Sequence, residues 1–213
     1  MLLKNSNGVL PLKKNLKHIV VVGQAADDLG MQCGGWTIDW QGKTGKVTTG
    51  GTTLLAAIKK TVSAETEVTY SPNGSDLNSA DVIIVCVGEQ PYAEFKGDRT
   101  DLNLPAADEA LIAKAKATHS RVVALLYSGR PLILNSALDQ SDAFVAAWLP
   151  GTEGEGITDV LFGDRRFKGK LPRHWPANSE QLTADNTVGK ALFPVGFGLS
   201  YSYLSRKKPM ATP

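Results

Sequence analysis

Residues 81–98 read Asp81-Val-Ile-Ile-Val-Cys-Val87 and then Gly88-Glu-Gln-Pro-Tyr-Ala-Glu-Phe-Lys-Gly-Asp98. The first part is the most strand-like run in the chain, short, apolar and β-branched, and such a run predicts a buried strand of an α/β sheet. It empties into a loop with three carboxylates (Glu89, Glu94 and Asp98), two aromatic rings (Tyr92 and Phe95), Pro91 and Gly97. In an open α/β sheet, ligands bind outside the carboxyl ends of the strands, so this loop is the candidate site.

Outward from this strand, similar short runs alternate with helical patterns. Strands are predicted at His18–Gly23, Glu67–Tyr70, Asp81–Gly88, Arg121–Ser128 and Ala143–Leu149. Thr52–Val62 carries Leu54, Leu55, Ile58 and Val62 on one stripe, with a Thr available as cap. Pro105–Thr118 starts with a Pro whose missing donor does no harm there and runs Leu111, Ala115 and Thr118 down one side. A third helix is expected from Glu153 to Phe162, stopped by Gly163. This alternation predicts an α/β three-layer sandwich on a mostly parallel, about six-stranded sheet. Leu29–Thr53 is Gly-, Trp- and Thr-rich without a period, and its length marks it as a functional loop.

A length of 213 residues, with 42% hydrophobic and 21% charged residues, fits one α/β domain. The net charge of +2 arises from 23 basic and 21 acidic residues that are interspersed, and the only basic cluster is Arg206-Lys-Lys208. That pattern gives no footprint for nucleic acid. No apolar run approaches the length needed to span a bilayer, and the first residues lack a signal-peptide pattern. Cys33 and Cys86 lack metal-ligand spacing and are read as two free thiols, Cys86 buried in its strand.

Several motifs are incomplete. Gly42-Lys-Thr44 would end a phosphate loop only if a Gly stood at Thr37, and it follows no strand. Gly196-Phe-Gly198 is part of a dinucleotide fingerprint with no helix after it. Ser128-Gly129-Arg130 follows a strand without forming a nucleophile elbow. His18, His119 and His174 are too scattered to assemble a metal site by local spacing. Carboxylates remain. Glu89 sits at the strand end, followed rigidly by Gln90-Pro91, whereas Glu94 lies farther out beyond Tyr92; an exposed loop Glu is ordinarily just solvated.

Four strings carry a resemblance: Gln32-Cys-Gly-Gly-Trp-Thr-Ile-Asp-Trp-Gln-Gly42, Gly88–Asp98, Ala146-Ala-Trp-Leu-Pro-Gly-Thr-Glu-Gly154 and Phe193-Pro-Val-Gly-Phe-Gly-Leu-Ser-Tyr201. In this order, from about Leu2 to Tyr203, they resemble the second domain of glycoside hydrolase family 3, in the branch of β-D-glucan exohydrolases and β-glucosidases. The resemblance implies a flavodoxin-like sandwich that follows a (β/α)8-type barrel, with the pocket between the two. It implies 1–17 as an interdomain linker remnant where the chain enters the domain, 18–203 as the sandwich carrying the acid/base loop, and 204–213 as a tail.

It further implies retaining hydrolysis of β-glucosidic bonds, with a nucleophilic Asp on the barrel and Glu94, in Tyr92-Ala-Glu94, as general acid/base. Trp40 matches the place where exohydrolases set an indole against the leaving-group sugar, and an indole face suits the C–H face of a glucose ring. Trp36 and Trp148 are expected in core or interface packing. Lys96, Asp98 and Arg99 are expected to hold the loop's shape, Tyr92 to pack it, and Glu89 to satisfy backbone donors. The implied partners are the barrel domain of the same protein and a β-glucoside or β-glucan oligosaccharide, with no nucleic acid, membrane, cofactor or metal. The parent protein would be periplasmic or secreted. Asn73-Gly-Ser75 has the form of a glycosylation acceptor. The competing expectation is a free-standing glycan-binding module in which Trp40 and its neighbours bind sugar without catalysis.

Overall fold

The computed structural model of the chain describes residues 1–75, 77–182 and 189–201. The cluster Arg206–Lys208 and the expected tail lie outside the described residues. Among them, six strands form one sheet in the order β1-β6-β5-β4-β2-β3. The strands are β1 (Leu2–Asn5), β2 (His18–Val22), β3 (Glu67–Ser71), β4 (Val82–Gly88), β5 (Arg121–Tyr127) and β6 (Ala143–Ala146). Strands β2 to β6 pair in parallel, and β1 runs antiparallel to β6 with Leu2 opposite Val145.

The parallel strands follow the flavodoxin-like order, in which the direction of strand addition across the sheet reverses between β2 and β4. The fold class is thus the one expected. The sixth strand is the antiparallel β1, formed from residues read in the sequence as the point where the chain enters the domain.

Strand alternation sorts the core into two layers. Val82, Ile84 and Cys86 of β4, with Val123, Leu125 and Tyr127 of β5, face one side. There they meet Leu54, Leu55 and Ile58 of α2 (Leu54–Thr61) and Ile157 and Leu161 of α5 (Gly154–Leu161). Ile83, Val85 and Val87, with Val122, Ala124 and Leu126, face the other side. They meet Ile112 and Ala115 of α3 (Ala106–Ala117) and Ala137 of α4 (Ala137–Gln140). A strand buried on both faces must be apolar at every position, which is why β4 reads without polar alternation.

The helices begin where the capping chemistry puts them. The Thr53 side chain accepts from the Ala56 N–H at the start of α2, Pro105 immediately precedes α3, and Gly163 at φ 83° follows the end of α5. The segment expected as one long loop contains a short helix, α1 (Leu29–Cys33), capped by Asp28, whose Oδ1 accepts from the Met31 N–H at 2.8 Å. Five residues that include Gly30 and are followed by Gly34 leave no readable period, so this turn of helix was hidden in the sequence. Both cysteines are buried and unpaired, as expected.

Candidate active site

The loop after β4 and the strap after α1 meet at the carboxyl end of the sheet. The strap is gathered at its base by Asp28, whose Oδ1 also accepts from the Gly45 N–H at 2.8 Å, while the Gly30 N–H donates to Gly45 O at 2.9 Å. Its outer turn is closed by the Trp36 N–H on the carbonyls of Asp39 and Trp40, and the Thr37 hydroxyl donates to Cys33 O. Gly35 permits the approach to the β4 loop: a Cβ there would stand 2.0 Å from Tyr92 O. The sequence thus needs glycine where two backbones touch.

Glu94 occupies the tip of the β4 loop. The Gly97 N–H donates to Ala93 O at 2.8 Å, and the Lys96 N–H donates to Glu94 O at 2.9 Å around Phe95, whose φ is 68°. A bulky residue at the centre of such a tight turn is strained, and strain of this kind collects at functional sites.

The two residues singled out in the sequence meet here. The Trp40 indole Nε1–H donates to Glu94 Oε2 at 2.7 Å. Next to it, Gln41 grips the same loop by its backbone, Nε2 donating to Glu94 O at 2.9 Å and Oε1 accepting from the Ala93 N–H at 3.1 Å. The Trp40 hydrogen bond is the main reason that the Glu94 carboxyl lies below the usual glutamate range; its own backbone N–H acts in the same direction.

Trp36, Trp40 and Phe95 stand around Glu94, exposed to 67%, 47% and 74%. Trp40 lies 6.2 Å from each of the other two rings, edge-on to Phe95. Trp36 is therefore not a core residue: with a φ of 61° in the strap turn it stands outward, which leaves interface packing of the two alternatives expected for it. Trp148 does pack, its ring 6.0 Å from the buried Trp175. Behind Glu94, a largely apolar cavity of about 330 Å³ runs between Trp36, Pro91, Tyr92 and Leu149.

The loop is held in a way that local sequence reasoning missed. Glu89, 7% exposed, does not serve backbone donors; its Oε1 accepts from Arg130 Nε and Nη2 at 3.1 and 2.9 Å, and its Oε2 accepts from the Tyr92 hydroxyl at 2.9 Å. Burial and the neighbouring Glu89 carboxylate push the Tyr92 hydroxyl up to about 12, so it stays a donor. Among the described residues, Arg99 bonds its near neighbour, the Asp101 carbonyl. Lys96 and Asp98 contribute backbone bonds, with no side-chain ion pair among those of the described residues. Ser128-Gly-Arg130 gave the available signal, as a strand-end motif left without a role.

No group of three or more His, Cys, Asp or Glu residues suited to a metal is present among the described residues. Nor is any helix among them long and apolar enough to cross a membrane.

Residues 1–201 match the glycosyl hydrolase family 3 C-terminal domain. A lysosomal beta glucosidase of Dictyostelium discoideum is 32% identical over 94% of this chain and 28% of its own length. The periplasmic beta-glucosidase of Salmonella typhimurium is 30% identical over 95% of this chain and 33% of its own length. Among solved structures, an exo-1,3/1,4-beta-glucanase from a Pseudoalteromonas species superposes with a TM-score of 0.86 at 39% identity, over 93% of this chain and 27% of that one. A beta-glucosidase from Listeria innocua in complex with glucose gives 0.76 at 25% identity, over 94% and 32%. The chain spans about a third of the length of these relatives.

Proposed function

Because this chain belongs to glycoside hydrolase family 3 as its C-terminal domain, we propose that it completes the active site of a retaining, exo-acting β-glucosidase or β-glucan exohydrolase. In this reading Glu94 is the general acid/base, Trp40 is one wall of the leaving-group subsite, and the nucleophilic Asp belongs to a barrel domain of the same protein. The observation that carries the reading is the Trp40–Glu94 hydrogen bond. Residues 54 positions apart, each pointing separately to glycoside chemistry, share one exposed rim beside a cavity.

The chemistry follows from the carboxyl's two tasks. A retaining enzyme holds its two carboxyl groups about 5–5.5 Å apart, one attacking the anomeric carbon while the other protonates the departing oxygen. Glu94 then takes a proton from water in the second step. As it stands, the Trp40 N–H favours ionised Glu94, the form needed for that second step. The acid form needed first is favoured when a second carboxylate approaches, because two negative charges resist sharing a site. An Asp supplied by the barrel would raise Glu94 in the free enzyme, and its consumption in the glycosyl ester would let Glu94 fall again. The isolated chain, with one carboxylate of the pair, is expected to be inactive. The names of the Salmonella and Dictyostelium relatives support a parent protein that works in the periplasm or along a secretory route.

The test is Glu94→Gln in the full-length parent enzyme. Loss of about 10²–10⁴-fold in turnover of oligosaccharides is expected, with much less loss for aryl glucosides whose leaving groups need no proton. Unchanged turnover of oligosaccharides would defeat the assignment. Oligosaccharide binding by this chain that ignores Glu94→Gln, together with an inactive parent, would favour a glycan-binding module.

A further inference from the structure

We propose that Arg130 is a positioning residue for Glu94, acting as a three-point latch on the loop that presents it; this rests on the acid/base reading of Glu94. Arg130 does not touch Glu94 and does not line the cavity beside it. Its guanidinium instead reaches the start, middle and end of the loop. Nε and Nη2 donate to Glu89 Oε1 at the start, and the ring of Tyr92 lies 4.4 Å beneath its central carbon. Nη1 donates to Gly97 O at the end, at 2.6 Å. The Tyr92 hydroxyl closes the figure on Glu89 Oε2. With Tyr92 and Gly97 both fixed, the tight turn between them, closed by Gly97 N–H on Ala93 O, has one place to put Glu94.

The latch is itself set in rigid material. Arg130 follows closely on the end of β5, and the buried Ser128 hydroxyl donates to Arg130 O at 2.7 Å. Gly129 allows Tyr92 to lie against it, since a Cβ there would stand 2.8 Å from the Tyr92 hydroxyl oxygen. The Glu89 side chain is 3% exposed and that of Arg130 is 22% exposed. A buried ion pair of this kind is weak evidence of stabilisation, because removing two charges from water offsets most of their attraction. Its distinguishing property is geometry: a planar fork addresses two acceptors and a ring face at once, whereas a lysine ammonium is a single point charge.

The experiment reads Glu94 through its neighbour. In the ¹⁵N-labelled chain, the Trp40 indole N–H signal, identified by its absence in Trp40→Phe, should shift with pH as Glu94 titrates, and Glu94→Gln should abolish that shift. Arg130→Lys keeps the charge and is expected to cut the pH-dependent shift of this signal by at least half, leaving the indole signals of Trp148 and Trp175, which pack on each other away from Glu94, in place. The paired variant Glu89→Leu/Arg130→Met orphans neither charge and is expected to show the same loss. A Trp40 signal that ignores pH in the unsubstituted chain, or one that titrates in the two variants as it does in the unsubstituted chain, overturns the proposal. These outcomes do not depend on hydrolysis, so failure of the acid/base assignment would appear separately, in the activity of the full-length Glu94→Gln enzyme.

Discussion

Replacing Gln32 with Leu should cost the chain about 3 kcal/mol. Gln32 is fully buried, and its amide stitches three segments: Oε1 accepts from the Leu54 N–H at 2.9 Å, and Nε2 donates to the carbonyls of Thr52 and Gly151 at 3.2 and 3.0 Å. The Leu54 N–H opens α2 and is buried, so without Gln32 it has no water to turn to; an orphaned donor of this kind costs about 1–3 kcal/mol. The carbonyls lose less. Thr52 O keeps the Gly154 N–H and Gly151 is half-exposed, so each lost bond is worth about 0.5–1.5 kcal/mol.

Against a typical domain stability of about 5–15 kcal/mol, this is a large displacement of a urea unfolding midpoint. Gln32→Glu sharpens the test, because an ionised carboxylate would face two carbonyl oxygens. Its pKa in the folded chain must therefore rise above about 4.3, and stability that is present at acid pH must be lost as pH climbs through the raised value. Leu at this position costing under about 1 kcal/mol, or Glu costing no more at pH 8 than at pH 4.5, would refute the argument.

Two further outcomes follow from the same structure. Burial raises the Asp108 carboxyl from 3.8 to about 6, partly offset by the Gly88 N–H. Its favourable contribution is full below 3.8 and lost as pH rises through about 6, so Asp108→Asn should add up to about 3 kcal/mol in melts at pH 8 and almost nothing near pH 3.8; equal gains at both would be inconsistent. Gly35→Ala sets a methyl 2.0 Å from Tyr92 O. It should cost roughly 1–3 kcal/mol and alter the near-ultraviolet dichroism of the strap tryptophans, and an unchanged spectrum would mean that the strap does not bear on the loop.

The sheet and its three main helices were legible because each carries its own period, cap or breaker within a dozen residues. The loop after β4 was legible for the same reason, as a change of composition at a strand end. What escaped was set by distant partners. Leu2–Asn5 reads as nothing in particular until β6 supplies its register. Arg130 becomes meaningful only across 41 positions from Glu89, and Gln32 only across 119 from Gly151. For Trp36 the sequence left core and interface packing both open, and only the turn geometry reveals that it stands outward.

The antiparallel β1 has a consequence for the timing of synthesis. Leu2 finds its partner at Val145, and the Met1 nitrogen reaches the Ala146 carbonyl, 145 positions away. At about 5–20 residues per second on the ribosome, the first strand of this sheet to be made waits roughly 10–30 seconds for the strand it must join. Through that interval Leu2 and Leu3, both buried in the finished fold, are in search of cover. β6 is the last of the six strands to be made, and its outer edge is closed by the strand that has waited for it, so the earliest strand of this domain is among the last to be placed.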